Sequence, residues 1–166
     1  MSAISFEEVM FTILAATQDV VKNYMGVDVY AGKVASGVGP ITSDIVAIIG
    51  IGGDRVGYVI IAAGEATARK VAQQMLMLDE PSEEAMRDAI GEMTNNIAGL
   101  FKIRFQEQYG NVALGLPLVV SGFVRPPADQ RSAAEPNSSV SMQFKGVTIP
   151  FKTMDDSISF RVMVLI

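Results

Sequence analysis

The sequence SEEAMRDAIGEMTNNIAGLFKIRFQEQ at residues 82–108 predicts one long amphipathic helix. Ser82 is a favourable N-cap residue, the two glutamates after it lie where the helix dipole favours negative charge, and Gly110 is a natural stop. At about 100° per residue, seven apolar side chains fall on one arc. We expect this arc to pack in the core: Met86, Ala89, Ile90, Met93, Ile97, Leu100 and Phe101.

The opposite face of this helix has an unusual composition. Six residues lie on it or beside it: Asp88, Gly91, Glu92, Asn95, Asn96 and Gly99. A glycine inside a helix costs about 1 kcal/mol relative to alanine, and asparagine is also a poor helix former. We expect Gly91 and Gly99 to lie away from the core side of the helix. Periodicity leaves two interpretations open: an incidental composition of a solvated face, or glycines that keep the surface low so that a partner can approach Glu92 and Asn95.

The rest of the chain alternates between apolar runs and turn residues. Residues 5–25 and 65–77 predict two further helices. The β-branched runs at 44–51 and 56–63 surround the turn sequence GGDR and predict a β-hairpin. The polar, Pro/Ser-rich residues 125–139 predict a loop. The remaining predicted strands are at 27–34, 116–124, 139–147, 148–154 (a short extension or an edge strand) and 157–166.

This order of elements predicts an α+β fold. We expect a mainly antiparallel sheet with about three helices packed on one face. The chain has 166 residues, of which 49% are apolar, which is enough to bury a core in one domain spanning 1–166. There is no internal repeat.

The composition excludes several classes of chemistry. The chain has no Cys, His or Trp, so it has no thiol nucleophile, no His-based triad and no zinc site built on Cys or His. A net charge of −5 argues against nonspecific nucleic-acid binding. No apolar run has the length of a membrane span, and no signal peptide is visible. We therefore expect a cytoplasmic protein without membrane or nucleic-acid partners.

The glycine-rich segment IGIGGDRVG at 49–57 offers a small-ligand alternative. A dinucleotide-binding fingerprint requires a helix directly after the glycines. Here a β-branched run follows, so the glycines are expected to serve the hairpin turn.

The pattern Asp88-x3-Glu92-x2-Asn95, followed by Pro117, resembles the signature of the CheC/CheX/FliY phosphatases of bacterial chemotaxis. The run DAIGEMTNNIAGLFK looks like their active helix. The segments MGVDVYAGK, DIVAIIGIGGDRVGYVIIAAGEATA and GLPLVVSG are also similar to CheX, so the resemblance covers nearly the whole chain. CheC-type members carry a second E-x-x-N on the first helix. That copy is missing here, which favours CheX.

The resemblance implies hydrolysis of the aspartyl-phosphate of a CheY-type response regulator. The regulator itself supplies the phosphorylated Asp and a Mg²⁺, so this chain is expected to bind no metal or cofactor of its own. Asn95 would orient the attacking water, and Glu92 would engage the regulator's active-site Lys. Such chemistry needs positioning more than covalent steps, and an amide both donates and accepts hydrogen bonds. The supporting positions are Asp88, Gly91, Asn96, Gly99 and Pro117. Of these, Asn96 is expected to be incidental and Pro117 to shape the start of its strand.

Two further expectations concern partners. The resemblance implies a homodimer, and the apolar strand at 157–166 is a candidate to pair across the subunit boundary, since free strand edges are usually covered. The alternative function is a non-catalytic binding or adaptor module that docks a receiver domain or another signalling protein through the same helix.

Overall fold

The structure is a computed structural model that describes residues 3–125 and 145–166. In these ranges the chain forms three helices and eight strands. In chain order they are α1 (Phe6–Met25), β1 (Tyr30–Ala31), β2 (Ala35–Ser36), β3 (Ile41–Gly53), β4 (Gly57–Ala63), α2 (Glu65–Met75), α3 (Glu83–Tyr109), β5 (Val112–Leu114), β6 (Leu118–Val124), β7 (Gly146–Lys152) and β8 (Ser159–Leu165).

The strands form one antiparallel sheet in the order β1-β7-β8-β4-β3-β5, with β2 also on β7 and β6 also on β3. The predicted hairpin is confirmed as β3 and β4, and β3 is longer than expected. Its 13 residues pair with β4 along one edge and with both β5 and β6 along the other. The predicted α+β class with a mainly antiparallel sheet and three helices is confirmed.

All three helices pack on one face of the sheet, where they share a single large core with every second strand residue. The predicted apolar arc of α3 is buried there, except for the partly buried Leu100. Phe101, Phe105 and Tyr109 extend it as an aromatic stack with centroid distances of 5.2 and 4.7 Å. An ion pair between Arg104 and Asp19 joins α3 to α1. No helix in the described ranges is long and apolar enough to cross a membrane.

The sheet's other face, which we call the back face, carries a smaller apolar cluster. Its buried members are Val38, Ile41, Val46, Ile60, Ala62, Met163 and Leu165. This alternation of strand residues between two clusters follows from the two-residue period of a strand.

The single strand predicted at 27–34 is wrong. Two strands of two residues each, β1 and β2, lie against β7 instead. Between them, the Gly32 N–H donates to the Pro150 carbonyl at 2.7 Å. Because proline has no N–H to return, the ladder is interrupted at this point.

The C-terminal strand is confirmed, but its predicted role at a subunit boundary is wrong. β8 lies inside the sheet between β4 and β7, so both of its edges are already paired. Of the residues predicted at 148–154, those at 148–152 belong to β7, and Thr153 and Met154 follow it outside the strand. β7 is not an edge strand, since it is paired with β8 on one edge and with β1 and β2 on the other. Residues 126–144, which include most of the predicted loop and of the strand at 139–147, lie outside the described residues.

The glycine-rich segment between β3 and β4 forms the hairpin turn, as expected. This turn packs closely against the segment that follows α3. The Asp54 carboxylate accepts from the Asn111 N–H at 2.8 Å, and the Asp54 N–H donates to the Asn111 carbonyl at 2.9 Å. A Cβ on Gly53 would lie 2.7 Å from that carbonyl oxygen. The glycine is therefore required by backbone packing, and the short strand β5, which was not predicted, follows directly.

Candidate functional site

The polar face of α3 points away from the core over its middle turns. Asp88, Glu92 and Asn95 are exposed, and Asn96 and Gly99 are half-buried. The helix is fixed at its start by Ser82, whose Oγ accepts from the Ala85 N–H at 3.1 Å. The candidate residues therefore sit on one regular helix of 27 residues whose other side is locked into the core.

Glu92 and Asn95 lie one turn apart on the same side of α3, as their i, i+3 spacing requires. The Asn95 amide makes no hydrogen bond with any of the described residues, so both its donor and its acceptor can serve a water or a partner. Asp88, one turn before Glu92, likewise has no hydrogen bond or ion pair within the described part of the chain. The face thus presents a carboxylate and a free amide side by side.

Asn96 contacts the carboxylate of Glu92. Its Nδ2 donates to Glu92 Oε1 at 3.4 Å, across one helical turn. The bond is long and exposed, so it is weak, but it engages one carboxylate oxygen and leaves the other free. The residue expected to be incidental therefore has a partner within the site.

The prediction that Gly91 lies away from the core is wrong. Gly91 is buried, and a Cβ there would lie 3.3 Å from Val119 Cγ2 and 4.0 Å from Pro117 Cβ. The start of β6 packs against this flank of α3, which widens the buried arc beyond the apolar residues. The glycine permits this close approach, and it brings Pro117 beside the turn that carries Glu92.

Gly99 fits the expectation of a low surface. It is half-buried, and a Cβ built on it would meet nothing within 4 Å. Internal packing therefore does not require a glycine here. Its absent side chain leaves an open approach to α3 one turn beyond Asn95.

Three residues around the site were not anticipated from the sequence. Ile103 continues the same face one turn after Gly99 and is 55% exposed. Arg87 donates to Glu83 Oε1 at 3.1 Å and to Ser121 Oγ at 3.0 Å, which ties β6 to the first half of α3. Ile103 could have been found from the sequence, because it is an apolar residue at the edge of a polar helix face. The Arg87–Ser121 contact could not, because it joins positions far apart in the chain.

A cleft of about 800 Å³ opens beside the N-terminal turns of α2 and α3. Arg69 and Arg87 line it, and each pairs with a glutamate four residues earlier. Neither Glu92 nor Asn95 lines this cleft. The pair lies on an open helix surface, a shape that suits a macromolecular partner better than a small molecule.

Comparisons with known proteins bear on the fold and on the family of the chain. Several solved structures match over nearly the whole chain. A CheX from Desulfovibrio desulfuricans is 22% identical, with 96% of this chain and 99% of that chain covered and a TM-score of 0.76. A CheX from Vibrio vulnificus is 21% identical, with 95% and 98% covered and a TM-score of 0.72. The CheX–CheY–BeF3–Mg²⁺ complex from Borrelia burgdorferi matches at 19% identity, with 95% and 96% covered and a TM-score of 0.70.

At these identities the solved structures establish the fold alone. A comparison with curated proteins found no match. The family model described as "Chemotaxis phosphatase CheX" matches residues 45–152, which include β4, α2, α3 and the strands that support them. Since this match extends over more than half of the chain, the chain belongs to the CheX family of chemotaxis phosphatases.

Proposed function

We propose that this chain hydrolyses the aspartyl-phosphate of a CheY-type response regulator and that Glu92 and Asn95 carry the reaction. The observation that carries the proposal is the exposed pair on α3, in which the Asn95 amide has no partner among the described residues. Membership in a chemotaxis phosphatase family supports the reaction class. A structural neighbour solved in complex with CheY supports a response regulator as the partner.

We assign to Asn95 the role of orienting the attacking water. Its carbonyl oxygen can accept a hydrogen bond from the water while its amino group donates to an oxygen nearby. Holding the water in line with phosphorus lowers the entropic part of the barrier. No proton needs to be stored on this side chain, so the lack of histidine is no obstacle.

Glu92 is assigned to docking. Its carboxylate, one turn before Asn95, would pair with the active-site Lys of the regulator and fix the register of the two proteins. Charge-assisted hydrogen bonds of this kind add both affinity and geometry. Asp88 adds a second negative charge on the same side of α3 and strengthens the attraction.

Mg²⁺ is assigned to the regulator. Within the described residues, no group of three or more Asp or Glu side chains is arranged to hold a metal ion. In this scheme the regulator supplies the metal and the phosphoryl group, and this chain supplies the oriented water.

The test is to phosphorylate a panel of receiver domains from the same genome and to time phosphate loss with the wild-type chain, with Asn95→Ala and with the control Asn23→Ala. Asn23 is an exposed asparagine near the end of α1. We expect one receiver to lose phosphate faster with the wild type and the control, and at its intrinsic rate with Asn95→Ala.

Two outcomes would contradict the proposal. Full activity of a folded Asn95→Ala variant would overturn the assigned mechanism. A complex with a receiver whose phosphate lifetime is unchanged would favour the alternative, a non-catalytic docking module.

We also propose a homodimer. Since β8 is paired on both edges, the edge strands in the described part of the sheet are β1, β2, β5 and β6. Of these, β6 is the longest, and its Leu118 and Phe123 are exposed. Unprotected edges with apolar side chains tend to recruit another strand. Sedimentation at micromolar concentration should give a dimer that Phe123→Lys weakens, and a wild-type monomer would refute the dimer.

A further inference from the structure

Arg161 is a charged residue in the middle of the apolar back face. It lies on β8, opposite Ala62 of β4 and Pro150 of β7, with both edges of the strand paired. The next residues of β8 on the same face, Met163 and Leu165, are each 1% exposed. A charge on a central strand among buried apolar side chains requires a physical reason.

The guanidinium of Arg161 has no counter-ion in the described part of the chain. The residue is half-buried, yet no hydrogen bond or ion pair joins it to any described residue. Other cations in the described ranges do form ion pairs, among them Lys22, Arg69, Arg87, Arg104 and Lys152. Partial burial of an unpaired charge costs free energy, which an anion bound from solution would offset.

Space for such an anion exists on both sides of the side chain. One cleft of about 370 Å³ and another of about 410 Å³ both have Arg161 in their walls. The small neighbours in the adjacent strands leave this space open. Among the described residues that line the two clefts there is no Asp or Glu. Apolar and hydroxyl-bearing side chains share the walls: Ser43, Ala62 and Pro150 in the first, and Ile41, Thr148 and Met163 in the second.

We propose that Arg161 anchors a binding site for a small organic carboxylate on the back face. The planar guanidinium matches a carboxylate with two parallel hydrogen bonds. The mostly apolar walls of the first cleft suit the organic part of the ligand, and both volumes lie within the range of small-molecule sites. This activity is separate from the phosphatase reaction, since the site lies on the face of the sheet opposite α3.

Charge matching selects a monoanion over phosphate. Lys152, the other cation that lines the first cleft, is already paired with Asp156 at 2.9 Å. A single unpaired positive charge therefore faces the ligand. A carboxylate neutralises it, whereas a phosphate dianion would leave a negative charge beside apolar walls.

The test is a titration of the full chain by backbone amide NMR with four probes: benzoate, acetate, benzamide and inorganic phosphate. The variants are Arg161→Met, which keeps the length of the stem and removes the charge, and Arg161→Lys, which keeps the charge and removes the planar fork. The matched control is Arg69→Met, which removes a cation that is paired with Glu65 on the helix side. Thermal melting confirms that each variant is folded.

We expect benzoate to shift resonances of Ala62, Thr148 and Arg161 saturably, with acetate weaker and benzamide without effect. Arg161→Met should weaken benzoate binding by roughly tenfold or more, the size of a lost charge-assisted bond. Arg161→Lys should weaken it less, and Arg69→Met should leave it unchanged. Shifts that do not saturate, unchanged binding by Arg161→Met, or phosphate binding tighter than benzoate would each overturn the proposal. Since none of these readouts uses phosphatase activity, a failure here is independent of the proposed function.

Discussion

The side-chain amide of Asn96 donates a hydrogen bond to Glu92 Oε1 at 3.4 Å, so two polar residues of α3 are coupled across one helical turn. Asn95, between them in sequence, has no such partner among the described residues. The arrangement separates two tasks: the Asn95 amide stays free, while the weak bond from Asn96 biases the orientation of the Glu92 carboxylate. Asn96 thus acts in our scheme as a positioning residue for Glu92.

The first prediction concerns Asn96→Ala. We expect KM for the phosphorylated regulator to rise about twofold with kcat nearly unchanged, because exposed i, i+4 contacts are worth only about 0.2–0.5 kcal/mol. The measurement is steady-state phosphate release. In the Glu92→Gln background the same substitution should have a smaller effect, since the two residues are coupled. Equal effects in both backgrounds would show that Asn96 acts independently of Glu92.

The second prediction concerns Gly91→Val. A Cβ added at this position would lie 3.3 Å from Val119 Cγ2, and the two methyl groups of valine would have to displace β6. We expect a loss of about 1–3 kcal/mol in the free energy of unfolding, the usual cost of overpacking, measured by urea denaturation. Phosphatase activity should fall as well, because a displaced β6 also shifts Pro117, which lies beside the helical turn that carries Glu92. Wild-type stability would show that β6 does not pack tightly here.

The error about Gly91 shows which information the sequence lacks. Helical periodicity correctly located the buried arc from Met86 to Phe101, because that arc depends on local spacing alone. It could not reveal that Val119, almost thirty positions later, returns to cover the flank of the same helix. A glycine on that flank looks identical in sequence to one that faces solvent.

The strands show the same division between local and long-range information. The hairpin of β3 and β4 was predicted because its two runs are adjacent and joined by a glycine turn. The central place of β8 and the interruption opposite Pro150 depend on which distant strands become neighbours. The spacing of the motif was enough to identify Glu92 and Asn95. The exposure of Ile103 and the hydrogen bond between Asn96 and Glu92 became visible only in the three-dimensional structure.

The third prediction concerns the size of residue 99. Since a Cβ there meets nothing within 4 Å, Gly99→Ala should raise the free energy of unfolding by up to about 1 kcal/mol through helix propensity. Gly99→Leu should be at least as stable as the wild type, yet raise KM about tenfold or more, because its side chain fills the approach to Asn95. Thermal melts and phosphatase assays separate the two effects. A fully active Gly99→Leu variant would show that the partner does not approach this turn.

The fourth prediction concerns pH and the turn between β7 and β8. Hydrogen bonds from the Thr153 hydroxyl, at 2.7 Å, and from Ser157 lower the pKa of Asp155 from 3.8 to about 2. A carboxyl whose pKa is depressed on folding stabilises the native state above its unfolded pKa, and this contribution is lost as the pH falls through the folded pKa. Asp155→Asn should therefore lower the melting temperature at pH 7, and its difference from the wild type should shrink between about pH 4 and pH 2.

The control for this turn is Asp79→Asn, which changes an exposed carboxylate whose side chain makes no hydrogen bond with a described residue. Its melting temperature should follow the wild type at both ends of the range. A constant difference between Asp155→Asn and the wild type from pH 7 to pH 2 would mean that the Thr153 and Ser157 bonds do not depend on the charge.

The fifth prediction concerns Ile103 as an apolar contact of the docking face. Ile103→Gln removes this contact without adding charge or weakening helix propensity, and Phe11→Gln does the same on α1, where Phe11 is 62% exposed. Burial of part of an isoleucine side chain against a partner is worth about 1 kcal/mol, so KM should rise about fivefold for Ile103→Gln and stay unchanged for Phe11→Gln. Both variants should melt near the wild type, because surface substitutions rarely change stability by more than about 0.5 kcal/mol. Equal KM values for the two variants would limit the docking face to the turns before Ile103, and a rise in KM for Phe11→Gln alone would move it to α1.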